Sequence, residues 1–214
     1  MKRKNRKNLY VAIGILAAFL LWTAALGWID VQKIGPQESA VGFATVNGFI
    51  HSRTGVHMTL YTITDWLGLV PFGFVMGFGI LGLVQWVHRK HFLQVDRNLL
   101  LLGGFYLVVM GAYLLFEILP VNYRPVLING VLEASYPSST TMLVLCVIPT
   151  GVMQLRFRMN HGFWKTVTTI LLYGFLVFMV LGRILSGVHW ITDIIGGALL
   201  SAGLVQLYRW LVME

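Results

Sequence analysis

The 214-residue chain is 57% hydrophobic and only 11% charged, with a mean hydropathy of +0.76. This composition excludes an ordinary soluble domain and indicates an integral membrane protein. The formal net charge of +8 is explained by basic loops on one side of a membrane, so nucleic-acid binding is not expected. The single cysteine, Cys146, excludes an intrachain disulfide.

Six apolar segments are long enough to span a bilayer. We predict spans at residues 9–29, 66–87, 99–116, 137–155, 166–182 and 189–208. The first follows a basic segment and ends beside Trp28, a residue type that anchors spans at the membrane interface. It is also longer than the apolar part of a signal peptide, so we predict that it is retained as a span.

Residues 30–65 form the only long polar segment of the sequence. Within it Phe43, Val46, Phe49 and Ile50 recur at roughly helical spacing, which favours a short amphipathic helix on the membrane surface. Such a helix could border a substrate entrance. A solvated loop is the alternative, and the pattern supports the two interpretations about equally.

Alternate loops of a six-span chain lie on opposite sides of the membrane. One side collects 12 of the 16 lysines and arginines. By the positive-inside rule this side, with both termini, faces the cytoplasm. We therefore predict an all-α, six-transmembrane helical bundle in the cell membrane, with Arg124, Ser138 and His189 together on the extracytoplasmic side.

Residues 182–197 carry three ionisable side chains in apolar surroundings. His189 and Asp193 are four residues apart, so on a helix they would lie on one face within hydrogen-bonding reach. A carboxylate bound to one ring nitrogen leaves the other free to react, and Arg183 adds a forked donor suited to phosphate. Because ionisable groups are costly in lipid, this segment indicates a functional site.

A helix start at the fourth span would complete a phosphate-binding site. Pro137, followed by two serines and two threonines, favours a helix beginning there with unpaired N–H groups that attract anions. With Arg124 and Arg183 it would hold a phosphate beside His189, whose imidazole could attack phosphorus. This chemistry requires no metal ion and no other cofactor.

Other interpretations of these residues remain open. His189 and Asp193 could be a buried pair that only holds spans together, or two ligands of a metal site completed by His51 and His57. Arg124 could be an interfacial residue whose side chain extends to the membrane surface. A channel or transporter is disfavoured because the polar residues lie at the ends of spans rather than at mid-membrane.

Three motifs in the same order resemble those of the type 2 phosphatidic acid phosphatase superfamily, membrane lipid phosphatases related to vanadium haloperoxidases. The family motifs are Lys-x6-Arg-Pro, Pro-Ser-Gly-His and Ser-Arg-x5-His-x3-Asp. The matching segments are 117–125, 137–140 and 182–193. Because the resemblance covers nearly the whole chain, we expect a bacterial member with a single membrane-embedded domain over residues 1–214.

The resemblance implies roles for individual residues. It makes His189 the nucleophile that forms a phosphohistidine and Asp193 its orienting partner. The phosphate-binding positions that it implies are Arg124, Arg183, Ser138 and the backbone at Ser139.

Several motif positions depart from the family pattern. Glu117 replaces the lysine of the first motif, Thr140 the histidine of the second and Gly182 the serine of the third. In similar enzymes that histidine is the general acid for the leaving group, and threonine cannot supply a proton at neutral pH. Either a diphosphate substrate, whose phosphate leaving group needs less protonation, or a buried, protonated Glu117 could compensate.

We therefore predict a membrane lipid phosphatase, a hydrolase acting on polyprenyl diphosphate such as undecaprenyl diphosphate or on a phosphatidyl-type phosphate. Its partners would be this lipid phosphate and the surrounding membrane lipids, in cell-envelope lipid recycling; no oligomeric state is predicted. The alternative is a non-catalytic lipid-phosphate-binding protein, because losing a general acid typically costs about 10²–10⁴-fold in rate.

Overall fold

The structure, a computed structural model, describes residues 2–160 and 162–213. Met1, His161 and Glu214 lie outside the described residues. So do the side chains of residues 2–5, among them Lys2, Arg3 and Lys4 of the predicted cytoplasmic segment. The helices of the described part are α1 (Lys2–Leu26), α2 (Ala44–Thr54), α3 (Met58–Leu67), α4 (Leu69–Arg89), α5 (Arg97–Ile118), α6 (Ser139–Arg158), α7 (Gly162–Leu185) and α8 (Ile191–Val212).

Six helical segments of the described chain are long and apolar enough to cross a membrane, which confirms the all-α, six-span bundle. The second begins at Met58, because α3 continues into α4 across Gly68. The assignment of residues 58–65 to the polar connection was therefore wrong. Two threonines of this stretch are satisfied within the helix: the Thr62 hydroxyl donates to the Met58 carbonyl at 3.0 Å and the Thr64 hydroxyl to the Leu60 carbonyl at 2.9 Å.

Helices α6 and α8 form the centre of the bundle, with 61% and 56% of their apolar stretches buried against 6–22% in the other spans. Small residues allow this close packing. A Cβ at Gly196 would lie 2.3 Å from the Tyr136 ring, and one at Gly203 would lie 2.6 Å from Leu16 of α1. The Ser201 hydroxyl donates to the Met142 carbonyl at 3.1 Å, which ties α8 to α6.

The predicted amphipathic segment contains the helix α2, with Val46 and Phe49 exposed. Phe43 precedes this helix and stacks on Trp22 of α1, with ring centroids 5.0 Å apart. On the opposite face of α2, the buried Asn47 amide donates to the Thr192 hydroxyl at 3.0 Å. The helix is thereby fixed against the start of α8, beside the segment that carries His189.

Candidate active site

Several chain segments meet at one end of the bundle. The connection between α5 and α6 carries Arg124, the end of α7 carries Arg183, and the short loop from α7 to α8 carries His189. The starts of α6 and α8 add Ser138 and Asp193. The structure therefore brings together the predicted site residues from three separate parts of the sequence.

The connection before α6 folds back on itself as a short hairpin. Asn129 and Gly130 both have positive φ, 50° and 80°, as the tight hairpin turn favoured by an Asn-Gly pair requires. Beside this turn the Arg124 N–H donates to the Glu133 carbonyl at 3.0 Å. The Trp190 indole N–H donates to the Tyr123 carbonyl at 2.8 Å, which fixes the hairpin against the His189 loop. Arg124 is held in place by this backbone pairing.

His189 lies in the loop before α8, so the prediction that it shares a helical face with Asp193 was wrong. The helix begins only at Ile191, because the Asp193 carboxylate accepts from the backbone N–H of Trp190 at 3.0 Å and thereby caps it. His189 Nδ1 is 3.8 Å from Asp193 Oδ2, too long for a hydrogen bond. Asp193 thus lies near the imidazole, as expected, but the shorter contact of its carboxylate is the hydrogen bond from the Trp190 backbone N–H.

Gly187 shapes the same loop. Its φ of +66° is a conformation that favours glycine, and a Cβ there would lie 1.8 Å from the Gly55 carbonyl oxygen. The segment after α2 can therefore lie directly against the loop. This contact continues in the backbone, where the His57 N–H donates to the Ser186 carbonyl at 2.9 Å.

Both guanidinium groups contact a single nitrogen of His189. Arg124 Nη1 and Arg183 Nη2 each lie 3.1 Å from His189 Nε2. Guanidinium groups only donate, so this pattern assigns the acceptor lone pair to Nε2 and the ring proton to Nδ1. Burial, and then the charges of Arg124 and Arg183, lower the pKa of His189 well below its ordinary value. The imidazole is therefore neutral at pH 7.

The two arginines are almost completely buried, Arg124 at 8% exposure and Arg183 at 1%. Arg124 Nε lies 3.0 Å from Glu133 Oε2, and because the N–H is not aimed at that oxygen this contact is an ion pair rather than a hydrogen bond. Arg183 Nη1 lies 3.7 Å from Asp65 Oδ1. The Tyr61 ring contacts both groups, with its centroid 5.9 Å from the Arg124 and 5.0 Å from the Arg183 guanidinium carbon.

The start of α6 adds polar groups to this end of the bundle. Ser138 is fully buried, and its backbone N–H donates to the Asp193 carbonyl at 3.1 Å. The Ser138 hydroxyl makes no hydrogen bond to any described residue and does not cap the helix. The first-turn N–H groups of α6 therefore lack a side-chain cap from Ser138, as at an anion-binding helix start.

A cavity of about 300 Å³ opens over these residues. His189, Arg124 and Ser139 line it, together with apolar and aromatic side chains. Its lining also includes three carboxylates, those of Asp65, Glu117 and Glu133. The motifs identified only Glu117 among the three. The sequence signal for Asp65 was its position as a lone acidic residue beside a long apolar run.

The sequence model of the PAP2 superfamily matches residues 101–214. The chain belongs to the PAP2 superfamily. Its fold is similar to a crystal structure described as the first transmembrane PAP2-type phosphatidylglycerolphosphate phosphatase, from Bacillus subtilis. The two are 20% identical, with a TM-score of 0.64 over 94% of each chain. No curated protein sequence matches the chain. The family prediction is confirmed, and the chain is a multi-pass membrane protein of this fold.

The residues that depart from the PAP2 motifs contact helix α3 or line the cavity. A Cβ at Gly182 would lie 2.6 Å from the Thr64 methyl group, so the absence of a side chain lets α3 approach α7. Thr140 packs towards the junction of α3 and α4, where its methyl group would lie 3.6 Å from a Cβ at Gly68. Glu117 lines the cavity but is exposed, whereas the compensation expected from it required a buried side chain.

The metal-site interpretation finds no support in the geometry. His57 Nε2 is paired with the Thr54 carbonyl at 2.9 Å, and the His51 ring packs on Trp190 with centroids 5.4 Å apart. Within residues 2–160 and 162–213, no three His, Cys, Asp or Glu side chains are grouped so that they could hold a metal ion. His189 and Asp193 therefore have no additional ligands among these residues.

Proposed function

We propose that this PAP2 protein is a membrane lipid phosphatase that uses His189 as its nucleophile. The observation that carries the proposal is the convergence of two buried guanidinium groups on His189 Nε2. Their contacting nitrogens are at most about 6 Å apart, and at an effective dielectric constant of about 20 two such charges repel by about 3 kcal/mol. A bound phosphate would replace this repulsion by attraction to both groups.

The neutral imidazole is suited to attack phosphorus. When a phosphate enters the cavity, Arg124 and Arg183 bind its oxygens and release the Nε2 lone pair. Nε2 then forms a bond to phosphorus, and the bond from phosphorus to the leaving oxygen breaks. The ring becomes positively charged, and the Asp193 carboxylate, 3.8 Å from Nδ1, stabilises that charge. Ser138 and the backbone at Ser139 would complete the phosphate site.

The missing acid favours a leaving group that departs without a proton. Thr140 cannot protonate an alkoxide, and Glu117 is exposed rather than buried. A diphosphate releases a phosphate, which is a far better leaving group. We therefore propose polyprenyl diphosphate, such as undecaprenyl diphosphate, as the preferred substrate class over phosphatidyl-type monoesters.

An apolar groove supports a lipid substrate. It has a volume of about 600 Å³ and lies between α4 and α5, lined by residues such as Phe78, Gly79 and Met110. Met110 is one helical turn from Tyr113, which lines the polar cavity. A lipid chain in this groove would leave its phosphate end near His189.

The charge distribution supports an extracytoplasmic site. The basic residues Arg89, Lys90, Arg97 and Arg158 lie at the ends of α4, α5 and α6 away from the cavity. By the positive-inside rule that end, with both termini, would face the cytoplasm. The cavity would then open at the outer face of the cell membrane, where cell-envelope lipid carriers are recycled.

The test is phosphate release by the purified full-length protein in lipid nanodiscs. We expect release from undecaprenyl diphosphate to exceed release from phosphatidic acid, and His189→Ala to abolish both. Rapid quenching with ³²P-labelled substrate should trap an acid-labile phosphohistidine only in the wild type. Wild-type release no faster than that of His189→Ala would contradict an enzymatic function. Saturable lipid-phosphate binding without turnover would then support the non-catalytic alternative, which the threonine at position 140 favours.

A further inference from the structure

Helix α3 reaches the site where the motifs depart from the family pattern. Gly182 accommodates the Thr64 methyl group, and Thr140 packs towards Gly68 at the end of α3. Asp65 lies between these two contact points on the same helix. The substitutions at positions 140 and 182 therefore both face the helix that carries this carboxylate.

Asp65 has the position of a group that acts on a bound phosphate. Its side chain lines the same cavity as His189. Its Oδ1 lies 3.7 Å from Arg183 Nη1, and the same guanidinium contacts His189 Nε2 at 3.1 Å. The side chain is 56% exposed, so it remains accessible to water. Arg183 thus lies between the carboxylate and the proposed nucleophile.

The other carboxylates near His189 are less well placed for this role. Glu133 forms an ion pair with Arg124 Nε at 3.0 Å on the hairpin. Asp193 is fully buried and is engaged with Trp190 N–H and Asn122. Glu117 lines the cavity at the end of α5 but forms no ion pair within the described chain. Asp65 and Glu133 each contact a guanidinium that touches His189, but the Asp65 side chain is the more exposed, 56% against 39%, and its 3.7 Å contact to Arg183 is looser than the 3.0 Å ion pair of Glu133.

We propose that Asp65 is the general base that activates water for hydrolysis of the phosphohistidine, a proposal that rests on the proposed function. Water attacks phosphorus, and the Asp65 carboxylate takes one proton from that water as the new P–O bond forms. The bond from phosphorus to Nε2 breaks, and its electron pair returns to the imidazole. Inorganic phosphate leaves, and Asp65 returns its proton to solvent.

This role does not replace the general acid that the second-motif histidine supplies in similar enzymes. An ionised carboxylate at neutral pH can accept a proton but has none to give to a leaving alkoxide. The site would therefore hydrolyse its phosphoenzyme readily, yet would still require a leaving group that departs unprotonated. The Asp65 assignment and the diphosphate preference are consistent with each other.

Pre-steady-state kinetics of Asp65→Asn test the assignment. With labelled undecaprenyl diphosphate we expect a rapid burst of one equivalent of undecaprenyl phosphate per enzyme, followed by turnover slowed about 10²–10³-fold. The phosphohistidine should accumulate in this variant and remain low in the wild type. Asp65→Glu should retain part of the hydrolysis rate. Glu38→Gln, the same chemical change at an exposed residue paired with Lys33, should match the wild type.

The outcomes separate the two proposals. If the wild type turns over but Asp65→Asn forms and hydrolyses its phosphohistidine at wild-type rates, or slows both steps equally, the role of Asp65 is overturned and the phosphatase function stands. If the wild type neither turns over nor becomes phosphorylated, the proposed function itself fails. If Asp65→Asn does not fold, the test uses Asp65→Glu, which must slow hydrolysis of the phosphohistidine more than its formation. Equal slowing of the two steps, relative to the wild type, would again overturn the proposal.

Discussion

Two sets of residues at the cavity, a buried wall and an exposed wall, differ in burial and in how tightly their side chains are held. The buried wall is the set of Arg124, Arg183 and His189, in which both guanidinium groups contact His189; of the three, Arg124 and His189 line the cavity directly. The exposed wall is the set of Asp65, Glu117 and Glu133, carboxylates of the cavity lining that are partly or largely exposed. A buried, fixed set of donors is preorganised for one anion, because its groups need little reordering when that anion binds. Among the motif departures, Glu117 lies on the exposed wall, whereas Thr140 and Gly182 are buried outside the cavity lining.

The largest effect in this comparison should come from changing the buried wall at Arg183. Arg183→Lys keeps the charge but removes the fork that reaches both His189 and Thr64. We expect kcat/KM for undecaprenyl diphosphate to fall about 10²–10³-fold in a phosphate-release assay. Arg53→Lys, the same change at an exposed arginine, should have almost no effect. A loss below threefold at Arg183 would mean that the buried wall does not bind the phosphate.

A smaller effect should appear in the pH dependence of kcat/KM. Burial and the charges of Arg124 and Arg183 lower the pKa of His189, so the neutral nucleophile should persist as the pH falls below the ordinary histidine value of about 6.5. Activity should decline only at lower pH. Arg124→Gln removes one of the charges that lower this pKa, so its acid limb should move to higher pH.

The control for that profile is His57→Gln, which changes a histidine outside the cavity lining. Its acid limb should coincide with that of the wild type. If Arg124→Gln leaves the acid limb where it was, the limb does not report His189.

The smallest effect should come from the exposed wall at Glu117. Because this carboxylate is exposed and its proton is not needed by a diphosphate, Glu117→Gln should change kcat by less than about threefold. The comparison should be made with undecaprenyl diphosphate and phosphatidic acid under the same conditions. A loss of about 10²-fold confined to phosphatidic acid would instead identify Glu117 as the acid for monoester substrates.

Sequence alone predicted the six spans and the buried wall of the site. Hydropathy over about 20 residues is a local property, so the spans were predictable even though α3 extended the second of them to Met58. Arg124, Arg183 and His189 were identified because ionisable side chains in apolar surroundings are costly and because they matched spaced motifs. Their convergence followed from placing the α5–α6 and α7–α8 connections on one side of the membrane.

Tertiary structure alone decided the exposed wall and the geometry around His189. Asp65 and Arg183 are far apart in sequence, and their contact depends on how closely α3 packs at Gly182. No local periodicity encodes such a contact. The same is true of Asp193, whose carboxylate caps α8 and thereby leaves His189 in a loop. Spacing along the chain identified which residues meet, and packing determined which atoms face each other.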